Sequence, residues 1–385
     1  MTVVNFLNKA KKMIYADNAA TTPLDAVAFE SMKTFLVDEY ANASQPYFFA
    51  KKAKKALKSA REIIANCINA MPEEIYFTSG GSESDNWAIK GSAFSDPKKQ
   101  IMITSAFEHH AILNSCTAIE KLGYPVRYIQ PTNAGLVTPE NLKKIITNQT
   151  RLVSVMFANN EIGTIQPIEE LCKIAHDNGA LFHTDAVQAV GHVPINVKNL
   201  GVDMLSASAH KFNGPKGIGF LYIRKGVKIC SLIDGGKQES GFRAGTENVA
   251  CIVGMAEALK NNCDSSEKNQ IKIKQLENIL IDNLNKSKIA YVKNGGQNTL
   301  PGLISLSFEN QNGESILHRM DLMGICISTG SACDSTNTKI SHVLQAIDLP
   351  ENLAKGTVRI SLGRHNTTDD VIDIFNAIQK INEQI

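Results

Sequence analysis

The chain has 385 residues, of which 43% are hydrophobic and 20% charged, so its composition excludes a disordered, collagen-like or coiled-coil protein. Its 40 Lys and Arg residues nearly balance 38 Asp and Glu residues, and a formal net charge of +2 gives no reason to expect nucleic-acid binding or attraction to acidic membranes. Residues 1–12 hold no apolar run long enough for a secretion signal, and no run of ~18 apolar residues occurs anywhere, so we expect no transmembrane helix.

The first two thirds of the chain alternate helical and strand patterns. Residues 51–61 (KKAKKALKSAR) have Ala and Leu at helical spacing, which favours a solvated amphipathic helix over a binding site for an acidic partner. A second helical pattern covers residues 168–178 and ends at Gly179. The predicted buried strands are residues 101–104, 152–157, 181–184 and 218–223. Strands that alternate with helices predict an α/β fold with a mainly parallel sheet and helices on both faces.

The pattern changes after about residue 255. Residues 261–270 are polar, and a long helical pattern follows at residues 271–284. Strand patterns at 303–308 and 358–362 and a last helix at 368–382 complete the chain. We therefore predict a domain boundary near residue 260, with a large domain at 15–260 and a smaller α+β domain formed by 1–14 and 261–385.

Eight cysteines, at positions 67, 116, 172, 230, 251, 263, 326 and 333, are scattered along the chain. No two of them form a CxxC pair, which argues against a zinc-binding module or a thioredoxin-like motif. Without a secretion signal, this usage predicts a cytoplasmic protein whose thiols are reduced and mostly buried.

Three motifs carry residues suited to catalysis. In residues 77–86 (FTSGGSESDN) two glycines and several hydroxyls precede a helix, an arrangement that binds phosphate at a helix N-terminus. Residues 183–188 (HTDAVQ) place Asp185 at the end of a strand, where ligand crevices open in α/β sheets. Residues 206–219 (SASAHKFNGPKGIG) place Lys211 among small residues, where a lysine that forms a Schiff base is a reasonable interpretation. Together, a phosphate turn, a strand-end Asp and a Lys could form a pyridoxal phosphate site.

With these motifs the sequence resembles the cysteine desulfurases, a branch of the class V aminotransferases within the fold-type I pyridoxal phosphate enzymes. The resemblance implies a large domain with a mainly parallel seven-stranded sheet and a smaller α+β domain. Further matching stretches are residues 15–23 (YADNAATTP), 159–163 (NNEIG), 235–248 (GGKQESGFRAGTEN), 328–333 (STGSAC) and 359–364 (RISLGR).

The resemblance also implies roles for individual residues around pyridoxal phosphate. Lys211 would form the Schiff base, Asp185 would keep the ring nitrogen protonated, and Gln188 would bond the ring hydroxyl oxygen. His109 would stack on the ring and assist proton transfers, whereas its neighbour His110 is expected to be a helix-surface histidine. The phosphate would be bound by Gly81, Ser82, Ser208 and His210, and by Thr246 of a partner subunit, which implies a homodimer. Substrate and cofactor contacts would include Asn18, Ala19, Asn160 and Arg359, and no metal is implied.

Cys333 is the residue that separates a desulfurase from a transaminase. Small and polar residues surround it, so we expect an exposed thiol. By resemblance, its thiolate takes the sulfur of L-cysteine as a persulfide, L-alanine leaves, and an acceptor protein receives the sulfur. The acceptor classes known in the family are an iron–sulfur scaffold, a tRNA-thiolation protein, a thiamine-pathway carrier and a DNA-sulfur-modifying system.

Three alternatives remain open at this stage: a selenocysteine lyase, another class V aminotransferase, and a non-catalytic homologue that binds the cofactor for a partner. Residues 41–47 (ANASQPY) depart from the family pattern near the expected pocket entrance, and Ile340 stands where relatives usually have a proline. Ser82 replaces a threonine that is frequent in relatives. None of these changes removes a residue that the chemistry needs.

Overall fold

The structure, a computed structural model, describes residues 13–329 and 340–383. Its central element is a seven-stranded sheet with the strand order β2-β8-β7-β6-β5-β3-β4. Its members are β2 (Ile75–Thr78), β3 (Ile101–Ser105), β4 (Val126–Ile129), β5 (Thr150–Ser154), β6 (Leu181–Asp185), β7 (Met204–Ser208) and β8 (Gly219–Ile223). Four neighbouring pairs are parallel, and β8 alone runs antiparallel to its neighbours β2 and β7, which confirms the mainly parallel sheet.

Apolar side chains leave this sheet on both faces. Neighbouring residues such as Leu152 and Val153, or Phe220 and Leu221, belong to two different buried clusters because successive side chains of a strand point to opposite faces. Helices cover both faces: α1 (Ala26–Val37), α2 (Lys51–Ile68), α3 (Gly81–Ser95), α4 (His110–Glu120), α5 (Pro139–Lys143), α6 (Ile168–Asp177), α7 (Val197–Leu200) and α8 (Val249–Asp264).

A separate buried cluster holds together most of the rest of the chain. It packs around an antiparallel sheet of order β12-β10-β9 and a parallel pair, β1 with β11. The strands are β1 (Ile14–Tyr15), β9 (Val292–Asn294), β10 (Leu303–Ser307), β11 (Ile325–Cys326) and β12 (Thr357–Ser361). The helices that contribute to this cluster are α9 (Ser266–Lys286), α10 (Gly313–Leu322) and α13 (Thr368–Asn382), whereas α11 (His342–Ala346) and α12 (Glu351–Ala354) contribute buried residues to a cluster of the large sheet.

The polar segment 261–270 is helical, contrary to the expectation that a helix begins only at residue 271. Helix α8 continues to Asp264, a single residue, Ser265, interrupts it, and α9 starts at Ser266. Side-chain hydrogen bonds such as Asn269 Nδ2 to Ser265 Oγ at 2.9 Å satisfy the polar residues within the helices. The domain division at residue 260 stays a prediction. The buried apolar residues of α8 belong to a cluster of the large sheet, and those of α9 belong to the cluster of the smaller sheet.

Strand β5 begins and ends earlier than the pattern at 152–157 predicts. The backbone leaves the sheet after Ser154, and the apolar residues Val155 and Phe157 are buried in the irregular segment that follows. No helix among the described residues is both long and apolar enough to span a membrane.

Candidate active site

A cleft of about 600 Å³ opens at the carboxyl ends of the parallel strands, the edge at which open α/β sheets bind ligands. It brings together eleven of the residues selected from the sequence: Ala19, Gly81, Ser82, His109, Asn160, Asp185, Gln188, Ser208, His210, Lys211 and Arg359. These residues come from segments spread over most of the chain, so the cleft is a product of the tertiary fold.

The turn between β2 and α3 forms one end of the cleft. Gly80 has a φ of 150°, a conformation that glycine adopts without a steric penalty, and α3 starts immediately after it at Gly81. The first N–H groups of a helix have no partner within the helix and carry its positive dipole end. Space at this turn is tight, because a Cβ on Gly219 of the adjacent strand would lie 2.8 Å from Gly80 Cα. The turn is therefore built to hold an anion close to the backbone.

Lys211 lies in a short turn directly after β7. Its Nζ donates hydrogen bonds to the carbonyl oxygens of Ala19 at 2.6 Å and Ala20 at 2.8 Å. The turn is fixed from two sides, because Thr22 N donates to His210 O at 2.9 Å and His192 Nε2 is 2.8 Å from Lys211 O. The amino group thus faces the cleft on a backbone that other segments hold in place.

Two carboxyl groups lie together at the floor of the cleft. Asp185 Oδ1 accepts a hydrogen bond from Val187 N at 2.9 Å, and Asp85 Oδ1, on α3, has no hydrogen-bond partner within the described part of the chain. Burial raises the pKa of Asp185, and burial together with the neighbouring Asp185 raises the pKa of Asp85. Two buried carboxyl groups this close favour sharing one proton, so the pair carries a single negative charge. A cationic group bound at Asp185 would be neutralised by that charge.

His109 stands over these carboxyls. Its Nδ1 accepts a hydrogen bond from Ala111 N at 3.1 Å and so caps α4, and its polar ring atom lies within 4.8 Å of those of Asp85 and Asp185. Burial lowers the pKa of His109, which favours the neutral ring. Because Nδ1 is the acceptor, the proton of the neutral ring is on Nε2.

Arg359 reaches the cleft from β12 of the smaller sheet. Its guanidinium donates to Asn160 O at 2.9 Å and to Asp17 Oδ1 at 2.8 Å, and its buried Nε has no partner among the described residues. A planar guanidinium with a free donor suits a carboxylate ligand.

Two selected residues lie outside the cleft, and one lies outside the described residues. The side chain of Asn18 donates to Ser361 O at 2.8 Å and lines a different, smaller cavity. Thr246 is exposed and does not line the cleft of its own chain. Cys333 lies outside the described residues, as does the rest of 330–339.

His110, expected to be a helix-surface histidine, is the first residue of α4. Its ring is half-buried and lies 4.7 Å from the ring of His342, which is bonded to Glu108 O at 2.9 Å. Because His342 begins α11, this contact places the chain after residue 339 beside the cleft.

Sequence reasoning assigned no role to Asp17, Asp85 or Lys216, although all three lie in motifs that it quoted. Lys216 lines the cleft, Asp17 orients Arg359, and Asp85 adjoins Asp185. The sequence signal for Asp85 was its position three residues after Ser82. On a helix that spacing places the two side chains on the same face, which is the inner face of α3.

Comparison with known proteins places this geometry in a family. The family model for aminotransferase class-V matches residues 14–374. The protein named cysteine desulfurase IscS of Dictyoglomus turgidum is 48% identical over 377 residues, which cover 97% of this chain and 96% of the relative. The protein of the same name from Methanosarcina thermophila is 45% identical, with 97% and 93% of the two chains covered.

Solved structures agree with this comparison. A NifS-like protein superposes with a TM-score of 0.91 at 36% identity, covering 97% of this chain and all of its own. A structure described as SspA in complex with cysteine superposes with a TM-score of 0.82 at 39% identity, covering 92% of this chain and all of its own.

Proposed function

The chain belongs to the class-V aminotransferase family and is a cysteine desulfurase, and from this premise we propose that it acts through pyridoxal phosphate, Lys211 and Cys333. The observation that carries the proposal is the convergence, in one cleft, of an anion-binding helix start, a buried carboxyl, a lysine and an arginine. Each of these groups matches one part of the cofactor or of an amino-acid substrate.

The residues of the cleft fit pyridoxal phosphate. The phosphate would lie at the start of α3 against Gly81, Ser82, Ser208 and His210, with Lys216 adding positive charge. The orphaned Asp85 Oδ1 and the adjacent Asp185 suit a protonated ring nitrogen better than any neutral group.

When bound, the cofactor withdraws electrons from the α-carbon of an attached amino acid, which weakens the bonds at that carbon and its neighbours. Arg359 binds the carboxylate of L-cysteine, with its free Nε as an additional donor. Lys211 Nζ, released from Ala19 O and Ala20 O, moves the α-proton, and the Nε2–H of His109 can pass a proton at the same place.

We propose that Cys333 receives the sulfur. Its thiolate attacks the substrate sulfur, the carbon–sulfur bond breaks, and the products are L-alanine and a Cys333 persulfide. The described residues on both sides of 330–339 support this role. Ser328 and Arg359 exchange backbone hydrogen bonds of 3.0 and 2.7 Å, and Ser341 Oγ donates to Glu161 Oε2 at 2.6 Å beside Asn160.

The test is the Cys333→Ala variant, with Cys251→Ala, at a half-buried cysteine of α8, as the matched control. Cys333→Ala should bind the cofactor with an unchanged visible absorbance spectrum, yet release neither alanine nor sulfide from L-cysteine. Cys251→Ala should turn over normally. Normal turnover by Cys333→Ala would exclude the assignment.

We also propose a homodimer. Thr246 is exposed and away from its own cleft, which fits a contact with the partner's phosphate. Several large apolar side chains on and after α1 are exposed in the single chain and would be covered in a dimer. They are Val27, Phe29, Leu36, Val37, Tyr40 and Phe48.

The sulfur acceptor is proposed to be a thiol-bearing scaffold or carrier protein, which takes sulfur from Cys333 by thiol–persulfide exchange.

We further propose a cytoplasmic location. It is supported by the seven described cysteines, all of which are free thiols.

A further inference from the structure

Helix α11 lies in the last part of the chain, yet its apolar side chains are buried with those of the large sheet. Val343, Leu344 and Ile347 belong to the same buried cluster as the strand residues Val153 and Phe182. Packing of this kind resists displacement, because a shift of the helix would open a void in a close-packed core. The start of α11 is therefore a fixed support for the groups that it contacts.

The residue that caps α11 is bonded to one side of the active-site cleft. Ser341 Oγ accepts a hydrogen bond from Val343 N at 3.1 Å and donates one to Glu161 Oε2 at 2.6 Å. The side chains of Ser341 and Glu161 are both buried. Glu161 directly follows Asn160, whose carbonyl oxygen accepts a hydrogen bond from Arg359 Nη1 at 2.9 Å. The Ser341 bond thus fixes the segment against which the guanidinium of Arg359 is oriented.

The first residue of α11 is bonded to another side of the cleft. His342 Nε2 donates a hydrogen bond to Glu108 O at 2.9 Å, and the ring of His342 lies 4.7 Å from the ring of His110. Glu108 and His110 flank His109 in the chain, so His342 contacts the backbone before His109 and the side chain after it. His342 therefore restrains the segment that sets the position of the His109 ring.

We propose that Ser341 and His342 are positioning residues for the reaction, and that each serves a different group of the cleft. Ser341 holds Arg359 in the orientation that binds the substrate carboxylate. His342 holds His109 where its ring can pass a proton at the α-carbon. This inference rests on the proposed function, from which it takes the roles of Arg359 and His109.

The two roles predict different losses. A guanidinium binds a carboxylate through a planar fork, so turning the fork weakens substrate binding. Proton transfer needs hydrogen-bond reach between the ring and the reacting atom, so moving the ring slows that step and leaves the carboxylate contact intact. Loss of the Ser341 bond should therefore weaken binding, and loss of the His342 bond should slow proton transfer.

Both losses can be measured on the holoenzyme with L-alanine, the product of the proposed reaction. L-alanine has the carboxylate and the α-hydrogen of L-cysteine but no sulfur, so neither measurement needs Cys333. The visible absorbance of the cofactor reports the dissociation constant of L-alanine. Nuclear magnetic resonance in heavy water reports how fast the α-hydrogen is exchanged for deuterium at saturating L-alanine.

Ser341→Ala should raise the dissociation constant of L-alanine by about tenfold and change the exchange rate by less than about twofold. Ser341→Thr keeps the hydroxyl and should restore binding. The matched control is Thr138→Ala, because Thr138 Oγ1 caps α5 by accepting from Asn141 N at 3.2 Å but does not line the cleft. It should leave both quantities unchanged.

His342→Leu should slow the exchange by about tenfold and change the dissociation constant by less than about twofold. His342→Gln keeps a side-chain N–H donor and should recover most of the rate. The control is His318→Leu, at an exposed histidine of α10, which should behave as the wild type.

The inference fails if Ser341→Ala and His342→Leu leave both quantities at their wild-type values. It also fails if either variant changes both quantities to the same extent, as a general loosening of the fold would. If Ser341→Ala does not fold, Glu161→Gln replaces it, since an amide oxygen accepts the same hydrogen bond more weakly, and binding should again weaken. A wild-type holoenzyme that neither binds L-alanine nor exchanges its α-hydrogen would instead contradict the proposed function itself.

Discussion

Glu108 is a buried acid whose Oε1 accepts hydrogen bonds from Ser105 Oγ and from Met156 N, while its Oε2 has no partner among the described residues. Burial raises the pKa of Glu108 to about 8. The acid is thus largely protonated in the folded protein at neutral pH. In the unfolded chain its pKa returns to about 4.3.

This difference predicts how stability depends on pH. The folded state holds a proton that the unfolded state releases, so the contribution of Glu108 is fully present below about pH 4.3 and is lost as the pH rises toward 8. Glu108→Gln mimics the neutral acid and keeps its stability as the pH rises. From pH 5 to pH 8 its free energy of unfolding should therefore increase relative to that of the wild type by about 3–4 kcal/mol. Urea unfolding at the two pH values measures this change.

The exposed acid Glu314 supplies the control for this prediction. Glu314→Gln should follow the wild type at both pH values. A constant difference between Glu108→Gln and the wild type across this pH range would show that Glu108 is ionised in the folded protein.

At the scale of elements, the loop that carries Thr246 is joined to helices α2 and α3 by two ion pairs. Arg61 of α2 holds Glu239 through two hydrogen bonds of 2.6 and 2.8 Å, and its guanidinium lies 4.3 Å from the ring centre of Phe77. Arg243 donates to Glu83 at 2.9 and 3.1 Å, which attaches the same loop to the first turn of α3. The loop is thus connected to the phosphate-binding helix.

Removing one partner of the Arg61–Glu239 pair should lower the free energy of unfolding. Arg61→Ala leaves the carboxylate of Glu239, which is 4% exposed, without its counter-charge, so we expect a loss of about 3 kcal/mol in the free energy of unfolding. Lys33→Ala breaks an exposed pair with Glu30 and should change stability by no more than about 0.5 kcal/mol. Chemical denaturation of both variants makes the comparison, and equal small losses would show that the Arg61–Glu239 pair is not a strong tie.

At the scale of the whole molecule, the proposed homodimer makes each cleft depend on two chains. A dimer built from one Lys211→Ala chain and one Thr246→Ala chain contains one cleft with both changes and one cleft with neither. If Thr246 serves the partner's cleft, a mixed population of the two inactive or weakened variants should recover about a quarter of the wild-type activity, since half of randomly paired dimers have one intact cleft of two.

The measurement is alanine release after co-expression or after dissociation and reassembly of an equal mixture. Each variant treated alone provides the baseline. Activity that stays at the mean of the two separate variants would show that Thr246 acts within its own chain, or that the subunits do not pair.

The amino-acid sequence by itself determined the chemistry of the motifs and the class of the fold. The glycine turn before a helix, the strand-end Asp185 and the Lys211 turn could be predicted because each depends on a short, continuous segment. The alternation of strands and helices likewise predicted the mainly parallel sheet. The helical character of 261–270 could not be predicted, because its polar residues are satisfied by side-chain bonds that composition does not reveal.

The tertiary structure decided which distant groups meet. Asp85 joins Asp185 and Asp17 orients Arg359 only because packing brings separate segments together. It also separated Asn18 and Thr246 from the cleft, although both lie in segments that match the family. Local sequence fixes the backbone pattern and the side-chain chemistry, whereas distances, burial and pKa changes depend on the whole arrangement of sheet and helices.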